Sequence, residues 1–380
     1  MAEAGQGAKK ERSFSLDVFR GLTIAGMILV NTHMGTDRYG VLEHAVWNGF
    51  TPTDLVFPSF VFIMGVSIIF SMSNRSKIGQ STAKQIFHIF YRAAIIFFLG
   101  FIWHIDPLSK ILPQFETIRI MGVLQRLALC YLFTSLIVMF TGRRGQLVAF
   151  VACVGGYWLL MKYAPVPGHG AGVLARDGNL AGYIDNIFLK GHLHAYNPGW
   201  DPEGLLHTLP AIGSCLLGAL AAHWLRGEKS MQEKMAGLFV AGNIFILAGF
   251  VLDRYFPINK NLWSPSYVCL AGGLAMNIYA VCIWFVDFKG WNKITLPFVF
   301  LGMNSLFAYL ISDLMKGIMS IIPVASDSAG KVMLIDFIFK HVYEPCLTPK
   351  TASFLFSLSY VILWMGITGL MYRKKWFVKI

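Results

Sequence analysis

The chain has 380 residues, 56% of them apolar and only 14% charged, with a mean hydropathy of +0.58, which is too little charge to coat a water-soluble globule of this size. A net charge of +12 would point to nucleic acid in a soluble protein. No basic run interleaved with aromatics is present, however, and membrane topology accounts for much of the excess, so no nucleic-acid partner is expected.

A polar tail, residues 1–13, precedes the first apolar run, and that run leads into a polar loop with no small-residue cleavage site, so the first helix is read as retained. Runs long enough to cross a lipid bilayer follow near 16–34, 54–73, 86–104, 119–140, 147–164, 205–225, 235–253, 264–287, 295–319 and 352–371. The expected fold class is an all-α, polytopic integral membrane bundle of about ten transmembrane helices. Residues 14–380 read as a single transmembrane domain, with outward loops near 35–53, 165–204 and 320–351.

An even number of spans puts both termini on one side. Lys9, Lys10, Arg12, Arg75, Lys77, Arg143, Arg144, Arg226, Lys229, Lys289, Lys293, Arg373 and Lys374 gather there, so both termini are expected in the cytoplasm. The two later loops exceed the roughly 12–15 residues that connectors need, and the second carries an amphipathic piece near Val332–Tyr343. No internal repeat is evident, which argues against a repeat-built transporter.

The six cysteines lie mostly inside spans without paired spacing, so neither a disulfide framework nor a CxxC site is expected. His192-x-His194, with His169 and His207 nearby, has no companion Cys pair and no HExxH, and no metal is expected. No Walker A or GxGxxG pattern offers a nucleotide cradle.

The segment from Asn31 to Pro58 gathers His33, His44, Trp47, Asn48 and Asp54 at the boundary between the first two spans. Ionisable groups at such a boundary are costly, and their default reading is functional.

Several motifs appear in order: Ser15-Leu-Asp17-Val-Phe19-Arg20-Gly21, Asn31, His44-Ala-Val-Trp47-Asn48-Gly49 with Asp54-Leu-Val-Phe57-Pro58, and Phe62-Ile-Met-Gly65-Val-Ser67. Arg119-Ile-Met-Gly-Val-Leu-Gln125-Arg126, Tyr196-Asn-Pro-Gly-Trp200-Asp201-Pro-Glu203-Gly204, Asn261-Leu-Trp263-Ser-Pro-Ser-Tyr267 and Gly302-Met-Asn304-Ser305 follow. The ordered set resembles the heparan-alpha-glucosaminide N-acetyltransferase family and its bacterial relatives. The resemblance implies transfer of an acetyl group from cytoplasmic acetyl-CoA, as co-substrate, to the amine of a glucosamine on the far side of the membrane. It places the family's catalytic histidine on His44 and a companion asparagine on Asn31. A homodimer in the inner (plasma) membrane would fit it.

An attacking amine must lose a proton, and His, titrating near 6.5, suits that at neutral pH. His44 is either that base or a nucleophile acetylated first; otherwise it is an interfacial histidine, and His33 is its rival. Asn31 either polarises the thioester carbonyl or makes an interhelical hydrogen bond. Asp54 orients His44, holds the substrate ammonium, or caps the second helix.

Trp47, Asn48, Trp200, Asp201, Glu203, Trp263 and Asn304 are candidate acceptor contacts, against the aromatic belt and ordinary loop solvation. Arg20, Arg92, Gln125 and Arg126 are candidates for coenzyme A, Arg suiting phosphate by its bidentate geometry, against buried ion pairs such as Asp17 with Arg20. Two rivals remain: a permease using the same polar residues as a path, and O-acetylation of an envelope glycan. Because the resemblance weakens where acceptors matter, a periplasmic or salvaged aminosugar is the expected acceptor class.

Overall fold

The computed structural model describes residues 13–35, 37–77, 79–104, 118–194, 199–327 and 330–378. All of the expected N-terminal tail but Ser13, and the Tyr196-Asn-Pro part of its motif, lie outside the described residues. The chain runs α1 (Phe14–Asn31), α2 (Val56–Lys77), α3 (Thr82–His104), α4 (Val123–Phe140), α5 (Arg143–Tyr163), α6 (Leu180–Phe188) and α7 (Thr208–Leu225). It continues through α8 (Met231–Asp253), α9 (Pro265–Ile283), α10 (Asn292–Met303), α11 (Ser305–Met319), α12 (Leu334–Ile338) and α13 (Pro349–Arg373). A small antiparallel hairpin, β1 (Pro323–Asp327) and β2 (Gly330–Met333), lies between α11 and α12.

Among the described residues nine helical runs are long and apolar enough to cross a membrane, and α10 with α11 makes a tenth if the pair is one span bent by 75°. The all-helical polytopic bundle expected from the apolar runs is therefore the observed architecture. The break falls at Asn304, whose backbone leaves the helical region (φ −118°, ψ 36°). Its side-chain amide clamps the chain beyond α13, donating to the Trp376 carbonyl (3.2 Å) and accepting from Val378 N–H (3.0 Å).

Two of the expected loops are built structures. Residues 165–204 enclose α6, which starts where Asn179 accepts from Gly182 N–H at 2.8 Å. The amphipathic piece near Val332–Tyr343 folds as the end of β2, α12 and a π turn, and buries Ile335 and Phe339 against Ala352 and Phe356 of α13.

Lipid gives helices no hydrophobic drive to associate, so close backbone packing must supply it. Three crossings do so through glycine. A Cβ on Gly65 of α2 would lie 1.8 Å from the Cys215 carbonyl oxygen of α7, and one on Gly218 of α7 would lie 2.0 Å from that of Phe62. The same reciprocal fit joins α1 to α10, where a Cβ on Gly21 would meet Phe298 O at 1.8 Å and one on Gly302 would meet Asp17 O at 1.9 Å. Gly242 and Gly273 face each other across α8 and α9, the latter's Cβ position lying 2.4 Å from the Gly242 oxygen. One continuous core, including Phe19, Ile24, Phe62, Cys215, Trp263, Tyr267 and Tyr279, fills the space between these crossings.

Gly65→Ala is expected to destabilise the bundle by about 1–3 kcal/mol or more, because backbone must move to admit the methyl group. Gly155→Ala, where an added Cβ meets nothing, is expected to be neutral or slightly stabilising. Thermal unfolding in detergent checks both.

Candidate active site

Helix alternation separates two ends of the bundle, one carrying the chain termini and the other the loops around His44. At the second end Asp54 lies in a short 3-10 turn, Pro52–Leu55, that leads into α2. Its carboxylate is 1% exposed and accepts from Ala45 N–H and Thr51 N–H, each at 3.1 Å, while the Thr51 hydroxyl donates to the Glu43 carbonyl at 2.7 Å. The third donor is His44, whose Nδ1 lies 2.7 Å from Oδ1. A carboxylate only accepts, so Nδ1 carries the proton and Nε2 keeps its lone pair. The His44 side chain is 50% exposed, so the base faces outward while its orienting acid is sealed in. Tyr267 of α9 donates to the Asp54 carbonyl at 2.6 Å, fixing the turn from below.

Lys260, which the sequence reading did not single out, completes this group. Its Nζ lies 3.0 Å from His44 Nδ1, 3.2 Å from Nε2 and 3.7 Å from Asp54 Oδ1. The lysine stands on a tight turn before α9: Asn259 N–H donates to Ser264 Oγ (3.0 Å), Leu262 N–H donates to Asn259 Oδ1 (2.8 Å), and Trp263 takes a positive φ of 49°. Asn259 also donates to Asn48 Oδ1 at 3.1 Å, tying that turn to the His44 loop. Burial pushes the Lys260 ammonium below the usual lysine range, against the pull of Asp54 and Glu203.

A second charged layer adjoins the first. Arg119 donates to both oxygens of buried Asp201 (2.8 and 2.5 Å) and to Glu203 (2.5 Å), although nothing in the sequence pairs residues so far apart. Asp201 also accepts from the main chain of His194 (3.0 Å) and Glu203 (2.9 Å). Burial alone would raise Glu203, but Arg119, Arg126 and Lys260 outweigh it and hold the carboxyl below its usual range.

Asp185 of α6 accepts from Leu205 N–H at 2.8 Å and stands 3.7 Å from His207 Nε2. A Cβ at Gly204 would lie 1.9 Å from its Oδ2, so this approach requires glycine. Burial raises Asp185 to about 7 and pushes the His207 imidazole well below the ordinary range, leaving the histidine neutral.

Of the candidate residues, His44, Asp54, Trp47, Asn48, Trp200, Asp201, Glu203, Trp263 and Arg126 belong to this end. Trp47 packs edge-on against Trp200 at 5.1 Å and donates to the Leu174 carbonyl, joining the His44 loop to the segment before α7. Trp263 is 1% exposed and donates to Ser214 Oγ at 3.0 Å, so it is a core residue and presents no face to a loop surface. Asp201 and Glu203 are likewise buried, in contrast to the loop solvation considered from the sequence. Arg126 is fully buried beneath them with its guanidinium 5.0 Å from the Trp263 ring, and its Nε and Nη1 have no hydrogen-bond partner among the described residues.

The remaining candidates make other contacts. Arg20 donates to Asp17 (3.0 Å), to Ser67 Oγ (2.8 Å) and to the Gly302 carbonyl (3.4 Å), realising the ion pair weighed from the sequence. Arg92 of α3 stacks on the Tyr131 ring at 4.9 Å. Gln125 is completely buried with both amide atoms unpartnered among the described residues. Asn304 clamps the C-terminal segment towards the end of the bundle that carries the termini.

Asn31 closes α1, its main-chain carbonyl accepting from Lys316 Nζ at 2.6 Å. His33 Nδ1 donates to the Val30 carbonyl (2.9 Å), and burial lowers its pKa. His192 Nδ1 pairs with the Ile118 carbonyl at 2.8 Å. Among the described residues no group of three His, Cys, Asp or Glu side chains is arranged to hold a metal.

A polytopic helical membrane protein with a solvent-exposed, carboxylate-held histidine at one end is the class that fold and site define. Residues 12–250 match the family model described as heparan-alpha-glucosaminide N-acetyltransferase, catalytic, and the chain belongs to that family. It is 30% identical over 422 aligned residues to heparan-alpha-glucosaminide N-acetyltransferase of Mus musculus, covering 96% of this chain and 60% of the relative. The Homo sapiens protein of the same name is also 30% identical over 422 residues, covering 96% of this chain and 59% of the relative. The chain thus spans about three fifths of the length of the curated relatives it matches.

Arg119→Met is expected to cost about 3–5 kcal/mol, because it leaves Asp201 and Glu203 buried without their cation; chemical unfolding of the variant measures this. Asp185 gives a pH signature. Its folded pKa lies above the unfolded value, so its stabilising contribution is full below about pH 4 and is lost as pH rises through about 7. Stability across about pH 4–7 is expected to fall more steeply in the native chain than in Asp185→Asn, by parallel unfolding curves.

Proposed function

We propose that the chain transfers an acetyl group from cytoplasmic acetyl-CoA across the membrane to the amine of a glucosamine or glucosaminide on the outward side. The observation that carries this reading is the His44–Asp54 pair, a solvent-facing imidazole with its Nε2 lone pair directed away from a buried carboxylate. Family membership supports it, since the relatives are named for acetyl transfer to a glucosaminide amine. The end that carries the termini also carries Arg143, Arg144, Arg226, Lys229, Lys289, Lys293, Arg373 and Lys374, which supports a cytoplasmic orientation for it and an outward one for His44. An inner-membrane location follows from the same reading.

In this mechanism the amine nitrogen attacks the thioester carbonyl while His44 Nε2 takes its proton. The C–S bond then breaks, the proton passes to the departing thiolate, and the products are the acetamide and free coenzyme A thiol. Asp54 holds the tautomer and stabilises the imidazolium as it forms.

Polar atoms on α4 support a track between donor and acceptor. Arg126, Gln125, Thr134 and Ser135 are buried, and each has a side-chain polar atom without a protein partner among the described residues. From Arg126 to Thr134 the helix descends about 12 Å towards the opposite end. Such groups suit the amides and phosphates of coenzyme A, with Arg92, stacked on Tyr131 of the same helix, adding a cation.

The test is incubation of purified protein in liposomes with radiolabelled acetyl-CoA and glucosamine. The native chain is expected to yield N-acetylated product, with His44→Ala slower by about 10²–10⁴-fold and Asp54→Asn impaired chiefly in kcat. No product with any amino sugar, together with no binding of acetyl-CoA, would overturn the reading.

A further inference from the structure

The geometry points to a phospholipid site on the outer face of α13, which takes one acyl chain of an anionic lipid from the leaflet at the end that carries the chain termini. A groove of about 490 Å³ runs there between α13 and Phe300 of α10. Along α13 it follows Leu363, Gly366, Leu370 and Arg373, a spacing of three and four residues that keeps all four on one face. The stripe rises about 15 Å, half of the roughly 30 Å hydrocarbon core and so the depth of a single leaflet. Arg373 is the last residue of the helix. With that cation at the membrane surface, the apolar remainder of the groove reaches to the mid-plane, as a lipid tail does.

Two residues of the site stand against their local preference. Glycine weakens a helix interior, yet a Cβ added at Gly366 would meet nothing within 4 Å. No protein neighbour requires the missing side chain, and its absence opens the groove floor. Gly369 differs, since a Cβ there would meet the Phe300 ring at 3.0 Å, and that ring forms the opposite wall. At the end of the helix Trp376 N–H donates to the Met371 carbonyl (2.9 Å) and Lys375 N–H to that of Tyr372 (3.0 Å), the paired bonds of a Schellman stop. Lys375 thereby takes the left-handed conformation, φ 57°, that favours glycine. A lysine at this position keeps a third charge beside Arg373 and Lys374.

Among the described residues no ion pair engages any of the three. Lys374 Nζ lies 5.0 Å over the ring of Trp376, which is exposed at the same level, as an interfacial aromatic would be. The Asn304 amide holds the chain at Trp376 and Val378, so the cations stand on fixed backbone. Each adds attraction for an anionic headgroup. A second copy docked on this face about a two-fold axis along the membrane normal would instead bring two sets of like charge together. Groove and charge thus fit a tail and its phosphate better than another chain.

The test counts phosphatidylglycerol and phosphatidylcholine bound to the full chain in detergent by native mass spectrometry, with thermal unfolding alongside. The native chain is expected to hold phosphatidylglycerol at least about tenfold more tightly than phosphatidylcholine, and to unfold at a higher temperature in its presence. Arg373→Gln combined with Lys374→Gln should bring the two affinities within about twofold of each other. Gly366→Phe, whose ring enters the groove without displacing protein, should lose both lipids and unfold in plain detergent as the native chain does. Lys375→Gly should unfold at a higher temperature than the native chain without lipid, yet bind phosphatidylglycerol more weakly.

Equal retention of the two lipids by the native chain, or phosphatidylglycerol retention unchanged in the charge variants or in Gly366→Phe, overturns the inference. So does a native dimer that Gly366→Phe dissociates without loss of lipid, which would make the groove a contact between copies. The native preference and the charge variants decide the matter even if Gly366→Phe does not fold. The acetyl-transfer reading is judged separately, by N-acetyl product, and stands or falls without this site.

Discussion

Burial of the Asp54 carboxylate is the constraint on which the His44 end depends. An ionised carboxylate removed from water costs several kcal/mol unless donors surround it. Here three donors, from His44, Ala45 and Thr51, do so, and every one belongs to the loop that α2 must meet. The need to satisfy one buried group thus dictates the path of residues 44–51 and sets the tautomer of the histidine. Tyr267 extends the restraint into α9 through the Asp54 carbonyl, so the base is referred to two membrane helices even though it sits on a loop.

The second layer obeys the same rule on a larger scale. Asp201, Glu203 and Arg126 are buried and Arg119 is half-buried beside them, and each acid is held by a cation or by main-chain N–H groups. Removal of one member exposes the rest to an unpaired-charge penalty, so the layer behaves as a unit. Lys260 links it to the His44 group, since it lies in the field of Asp54 and Glu203 together. The segment 165–204 has structure because it must deliver Asp185, Trp200 and Asp201 to this layer; α6 and the glycine at 204 are the local means.

The fold was legible in the sequence where a single-residue property summed over a helix decides the outcome. Apolar runs located every membrane helix, including the span that breaks at Asn304, because length and hydropathy survive a bend. The bend itself was silent, for it depends on Asn304 reaching Trp376 and Val378 from the far end of the chain. His44 and Asp54 were legible as a polar pair ten positions apart at a helix start. Arg119 opened one of the ordered motifs, but its pairing was not legible, and Lys260 was not marked at all, since their roles arise from partners 82 and 216 residues distant. Lys260 stands immediately before the Asn261-Leu-Trp263 motif, and that adjacency was the one signal available. Trp263 shows the opposite error: an aromatic beside a loop reads as a surface residue until Phe57, Tyr267 and Arg126 are seen to enclose it.

The distribution of hydrogen-bond satisfaction separates scaffold from working parts. Arg20, Asp54, Arg119 and Asp201 are saturated by protein partners, as buried polar groups normally are. Arg126, Gln125 and Ser135 of α4 instead keep polar atoms unpaired by protein among the described residues, as do Ser59, Arg92, Asn277 and Trp364 on other helices. An unsatisfied buried polar atom costs about 1–3 kcal/mol, so each marks a place where a polar ligand or water can bind. Groups retained at that cost are free to bind, whereas the saturated ones would have to surrender bonds first. In the proposed transfer reaction the buried groups of α4 are the ones that would meet a polar donor, with Arg126, over the Trp263 ring, at the end nearer His44.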